Sequence, residues 1–146
     1  MGKFSPGKYF RSLTLIYSSM IFGQVFFFLI AFYLRNEWLI HPEFSNLEVF
    51  KWIVPLFTGG SIYQSNIFFK RRIKKARQKP TFARKMDDYR IALLVRYVLW
   101  EVPSLLAIAA YFLTGQWLYL SLSALVILVF LAHRPDIDRA RRELDV

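Results

Sequence analysis

A chain of 146 residues that is 55% hydrophobic and 18% aromatic, yet carries 20 Lys and Arg against 10 Asp and Glu, is apolar and strongly basic at once. Its apolar residues are gathered into four long blocks, which a soluble domain of this size does not do, so the composition points to an integral membrane protein. Having no cysteine, the chain excludes disulfides, thiolate metal sites, iron–sulfur ligation and a cysteine nucleophile.

The first block, about residues 12–34, follows the basic residues Lys3, Lys8 and Arg11. Its apolar run exceeds the roughly 7 to 15 residues of a secretory signal and no A-x-A pattern follows, so it reads as an uncleaved span. Pro6 stands where a myristoylation pattern needs Ser or Thr, so spans rather than lipid are expected to hold the protein in the membrane. Gln24 falls near the centre of this span, with Ser19 and Gly23 small enough to let another helix approach closely. A connection carrying Trp38 and His41 leads to the second block, about 50–69, which is short against the ~20 residues that cross the hydrocarbon. Thr58, Ser61 and Ser65 form an i, i+3, i+7 stripe along it.

The segment 70–89 is the most charged of the chain. Lys70, Arg71, Arg72, Lys74, Lys75 and Arg77 make a patch able to hold anionic lipid headgroups, at ~1 kcal/mol per basic residue near an anionic surface, or an acidic protein partner. The same run also reads as a topology determinant that keeps its loop in the cytoplasm, with lipid contact as an incidental consequence. It lacks interleaved aromatic platforms, which argues against nucleic acid. Pro80 divides it, with a helix running towards Gln78 and a new one beginning before Asp87 and Asp88. The two aspartates are expected to complement that helix N-terminus; no further carboxylates follow at helical spacing, so no metal site is expected.

The third block, about 90–113, contains Glu101 near its middle, where an ionisable group costs at least ~3 kcal/mol and is by default a functional candidate. Tyr97, Glu101 and Ser104 share one helix face as i−4, i and i+3. Arg96, about 140° round the helix from Glu101, is expected to snorkel towards the cytoplasm. Pro103 leaves the Leu99 carbonyl without its helical donor, a second polar group at that depth. Thr114-Gly115-Gln116 is a tight turn into the fourth block, about 116–133, which carries Ser121 and Ser123 and ends at His133. In the tail, 135–146, Ile137, Ala140 and Leu144 fall on one face of a short surface helix, whose Asp138, Glu143 and Asp145 can meet the basic loop.

The expected fold is therefore all-α: a polytopic protein with one integral domain, a four-helix transmembrane bundle. Basic and non-basic connections alternate, which puts both termini in the cytoplasm of an inner or plasma membrane and Trp38, Trp52, Trp117 and Tyr119 at the outer interface. The candidate site is a polar belt of Glu101, Tyr97, Ser104, Gln24, Thr58 and Ser61. Three readings of Glu101 stand side by side. It is a protonated hydrogen-bonding group that ties to Gln24 or to Ser and Thr on other helices, or a contact to another subunit, or the exchanging carboxylate of a small proton- or cation-coupled transporter. No H-E-x-x-H, G-x-S-x-G or phosphate-binding Gly-rich loop occurs. The expectation is a non-enzymatic accessory, assembly or oligomerising component without a cofactor. Its partners would be the lipid bilayer with its anionic headgroups and a second copy or another membrane protein.

Overall fold

The computed structural model describes residues 6–37 and 48–144; Lys3, Trp38, His41 and Asp145 lie outside the described residues. The described residues form five α-helices and no strand: α1 (Pro6–Glu37), α2 (Glu48–Arg77), α3 (Phe82–Thr114), α4 (Trp117–Ala132) and α5 (Ile137–Leu144). Two helices are long and apolar enough to cross a membrane, α1 over Phe10–Asn36 and α3 over Phe82–Thr114. The pair α4 and α5 meets that test only when taken together across a 78° bend.

The helix boundaries follow from local chemistry. Gln78 and Lys79 turn their N–H groups back onto the Lys75 and Ala76 carbonyls at 3.2 and 3.1 Å, and Pro80, which has no N–H to give, ends the run. Gly115 closes α3 in the left-handed region at φ 69°, its N–H bonded to the Tyr111 carbonyl at 2.7 Å. Arg35 of α1 lies directly over this glycine and donates to the Phe112 and Leu113 carbonyls at 2.7 and 3.3 Å. Those carbonyls have no helical donor left, and the guanidinium supplies both a donor and a positive charge where the helix dipole favours one. A side chain at position 115 would strain the backbone and displace Arg35.

Asp87 and Asp88 do not cap α3. The helix starts at Phe82, because Pro80 and the extended Thr81 set its beginning, and its first turn holds no acidic residue. Asp88 instead pairs with Arg72 of α2 at 3.4 Å.

Helix α3 is central, with α1, α2 and α4 packed on it. Its cross-contacts give the register. Along α1, Ser12 accepts from Arg90 and Tyr17 lies 5.3 Å from Tyr97, so with Arg35 at Phe112 the two helices run parallel. Along α2, Phe69 meets Tyr89 and Ser65 meets Trp100; along α4, Phe130 meets Tyr97 and Ser123 meets Ser104, so both run antiparallel to α3. One apolar cluster joins Leu13, Tyr17, Phe69, Tyr89, Trp100 and Phe130 and includes Ala140 and Leu144 of α5. A second, towards the Gly115 end, joins Ala31, Val54, Ile108, Tyr111 and Tyr119. The outward faces are themselves apolar: Phe22, Phe26, Trp52, Leu56, Val98 and Leu128 are all exposed.

Candidate functional site

Two of the belt's six residues, Tyr97 and Ser104, make bonds that join helices, and the neighbouring Trp100, Ser65 and Tyr17 add to them. Trp100 Nε1 donates to Ser65 Oγ at 2.7 Å, and Ser65 donates in turn to the Ile62 carbonyl. The buried hydroxyls of Ser104 and Ser123 bond each other at 3.1 Å. Tyr97 donates its hydroxyl hydrogen to the His133 carbonyl at 2.9 Å, and Tyr17 to the Phe130 carbonyl at 2.8 Å. Both carbonyls lie at the α4 terminus, where that of Phe130 also accepts from the His133 N–H at 3.1 Å. Thr58 bonds the Val54 carbonyl of its own helix, and Ser61 is buried on the same stripe. Gln24 differs from all of these. It is 1% exposed, and neither its Oε1 nor its Nε2 has a hydrogen-bond partner. The parallel register of α1 and α3 puts it close to the level of the Ser104–Ser123 pair.

The stripe of Tyr97, Glu101 and Ser104 is thus not brought to one point. Tyr97 and Ser104 are fully buried, while Glu101 stands partly buried at the edge of the packed face, beside the exposed Val98 and Val102. Among the described residues Glu101 makes no hydrogen bond and no ion pair, and the expected bond to Gln24 is not formed.

A residue outside the expected belt has the most developed surroundings. Arg96 is 9% exposed, and its guanidinium lies between the rings of Phe69 and Trp100, 4.7 and 4.6 Å from their centroids. It donates to Asn66 Oδ1 at 2.8 Å, and its Nε is buried with no partner. Arg96 opens into a cavity of about 500 Å³ between α2, α3 and α5, lined also by Lys70, Lys74, Arg77, Arg139 and Glu143. The third wall is held because Ala140 and Leu144 are buried and Arg77 Nε donates to the Glu143 carbonyl at 2.8 Å. The Glu143 carboxylate pairs within α5, with Arg139 at 3.3 Å.

The six-residue basic patch is divided by this arrangement. Lys70, Lys74 and Arg77 face the Arg96 cavity, whereas Arg71, Arg72 and Lys75 lie round α2, about a second cavity of about 430 Å³ that also meets Asp88. The sequence signal for the Arg96 site was the arginine set inside an apolar block with Trp100 four residues on, which places the two on one helix face. Their meeting with Asn66 and Phe69 depends on the α2–α3 register. Comparison with protein-family models, with curated proteins and with solved structures finds no match to this chain.

Proposed function

We propose that the chain is a four-span protein of an inner or plasma membrane, with both termini in the cytoplasm. In this reading it acts without catalysis, as an accessory or oligomerising component that joins another membrane protein or a second copy through the Glu101 flank of α3. Support for the topology comes from the register. Followed outward from the observed contacts, Arg11, Lys70, Arg90 and Arg134 come to about one level, and Arg35, Lys51 and Gln116 to another. Between Lys51 and Lys70 α2 has no charged residue, a length of roughly 28 Å at ~1.5 Å per residue, close to the ~30 Å of a hydrocarbon core. Exposed Phe22, Phe26, Trp52, Leu56 and Leu128 lie within this zone and form a larger apolar surface than water tolerates.

The observation that carries the assembly reading is Glu101 itself. An ionisable group at that depth is expected to face a partner or a wet cavity, and Glu101 has no partner among the described residues while it borders an exposed face. The test is the species that purifies in gentle detergent. Glu101→Leu should release the partner, or dissociate the homo-oligomer, and leave a folded monomer. Glu101→Gln, which keeps the shape and hydrogen-bonding capacity, should be mild. A Glu101→Leu protein that sediments as the wild-type assembly rules out this role. Gln24 favours a second reading, proton- or cation-coupled transport, because its buried amide lies unpartnered near the Ser104–Ser123 pair. Glu101→Gln protein that assembles normally yet loses pH-dependent flux in proteoliposomes would select it.

A further inference from the structure

We propose that the cavity between α2, α3 and α5 is a binding site for a phosphate anion, carried by a lipid headgroup or by a soluble phosphate ester, with Arg96 as its buried anchor. Charge is the first ground. Among the described residues, the basic side chains of Lys70, Lys74, Arg96 and Arg139 line the cavity with one carboxylate, that of Glu143, whose Oε1 is paired with Arg139 and whose Oε2 is buried without a hydrogen bond. Arg96 is the second. Burying a guanidinium is costly unless it is paired, and among the described residues no carboxylate comes within ion-pair distance of it. The flanking rings of Phe69 and Trp100 stabilise the cation without neutralising it, and they fix its plane. A guanidinium has five N–H donors; one terminal nitrogen is bonded to Asn66 and Nε is buried, so the remaining terminal N–H groups are the ones left for a ligand. A planar fork held in this way matches the oxygens of a phosphate, which accepts paired hydrogen bonds from arginine.

Size and surroundings agree with such a ligand. About 500 Å³ holds a phosphate with a glycerol-sized substituent, and Phe69 and Ile73 give the cavity an apolar side next to the basic one. The cavity lies near the level where Lys70 and Arg90 end the apolar zone, which is headgroup depth if the topology proposed above holds. Basic pockets between helices on a cytoplasmic side are suited to anionic headgroups. Its depth in the membrane rests on that topology; its chemistry does not. Docking of α5 through Ala140 and Leu144 brings Arg139 to the site, so the C-terminal helix is part of it.

Arg96 also packs against Phe69 and Trp100, so the test is placed on the rim, in the full chain purified in neutral detergent. Native mass spectrometry would titrate phosphatidic acid and phosphatidylglycerol against phosphatidylcholine, with inorganic phosphate and glycerol 3-phosphate as the soluble arm. Lys74→Gln/Arg139→Gln should weaken the preferred anion by about tenfold or more, as the loss of charge-assisted hydrogen bonds implies. Arg84→Gln/Arg142→Gln removes the same charge from exposed positions outside the cavity and should bind as wild type. Binding in the lipid arm alone assigns the phosphate to a headgroup, and competition by glycerol 3-phosphate assigns it to a soluble ester. Equal binding of phosphatidylcholine and the anionic lipids, or equal weakening in the two double variants, overturns the site. Labelling of a Lys79→Cys variant in intact cells is a separate measurement: reaction from outside would remove the topology and leave the binding result standing.

Discussion

Gln24→Leu should make the protein more stable, by roughly 1 kcal/mol. Gln24 is 1% exposed, and both polar atoms of its amide lack a partner. A buried polar group left unmade costs ~1–3 kcal/mol by mutational measures. In a membrane the lower end applies, because the separated helix in its unfolded reference state also finds partners for the amide. Leucine has nearly the same volume and fits the apolar surroundings of Ile21 and Phe28 on the same face of α1, although its branching can cost some of the gain through imperfect packing. The net of about 1 kcal/mol is a factor of about five in the folded-to-unfolded ratio. It can be read from equilibrium unfolding in mixed SDS micelles, followed by the fluorescence of the four tryptophans and by far-ultraviolet circular dichroism. A loss of more than about 0.5 kcal/mol would refute the reasoning, since it would mean that the amide is hydrogen-bonded in the membrane and holds the helices together.

A Ser104→Ala/Ser123→Ala double-mutant cycle should give a coupling of about 0.6 kcal/mol and no more than ~1.7, the range for hydrogen bonds between membrane helices; zero coupling in the same unfolding assay would remove this bond from the belt. Arg96→Lys keeps the charge but not the planar fork between Phe69 and Trp100, and should destabilise by ~1–2 kcal/mol, whereas an unchanged midpoint would show that the stacking contributes nothing. Cysteines at Arg142 and Gln116, both exposed, should be labelled from opposite sides of the membrane, the first only from the cytoplasm; labelling of both from one side would refute the topology.

The sequence made the helices readable because their signals are local. Long apolar blocks, Pro80 and the Thr114-Gly115-Gln116 turn mark where helices run and stop, and the i, i+3, i+7 spacing of Ile137, Ala140 and Leu144 marks which face of α5 docks. The belt was legible as composition but not as pairing. Tyr97, Ser104, Gln24, Thr58 and Ser61 are all buried, yet which of them meet depends on the helix register, which no single-helix spacing determines. Tyr17, missed altogether, shows the same limit: its hydroxyl finds a carbonyl 113 residues away. Asp87 and Asp88 were misplaced for a local reason. Two adjacent carboxylates look like an N-terminal signal, but Thr81 and Phe82 had already begun the helix, and Arg72 claimed Asp88.

The two ionisable residues inside the apolar block of α3 have opposite surroundings, and the helix geometry accounts for it. At ~100° per residue Arg96 lies about 40° from Trp100, and Glu101 lies about 100° away on the other side. Trp100 is 1% exposed and faces Ser65 of α2, so it marks the middle of the packed face. Arg96 therefore falls within the α2 contact, where Asn66 and Phe69 can solvate a cation with a carbonyl oxygen and an aromatic ring. Glu101 falls at the margin, where α3 turns from its neighbours towards Val98 and Val102. A carboxylate needs donors, and the donors nearest on its own helix, the hydroxyls of Tyr97 and Ser104, are engaged with His133 and Ser123. Releasing either would break a buried bond between helices at a cost comparable to what Glu101 would gain, so the fold has no inexpensive way to satisfy it from within. The same rotation that lets α3 close its contacts with α2 and α4 leaves Glu101 facing whatever lies beside the helix.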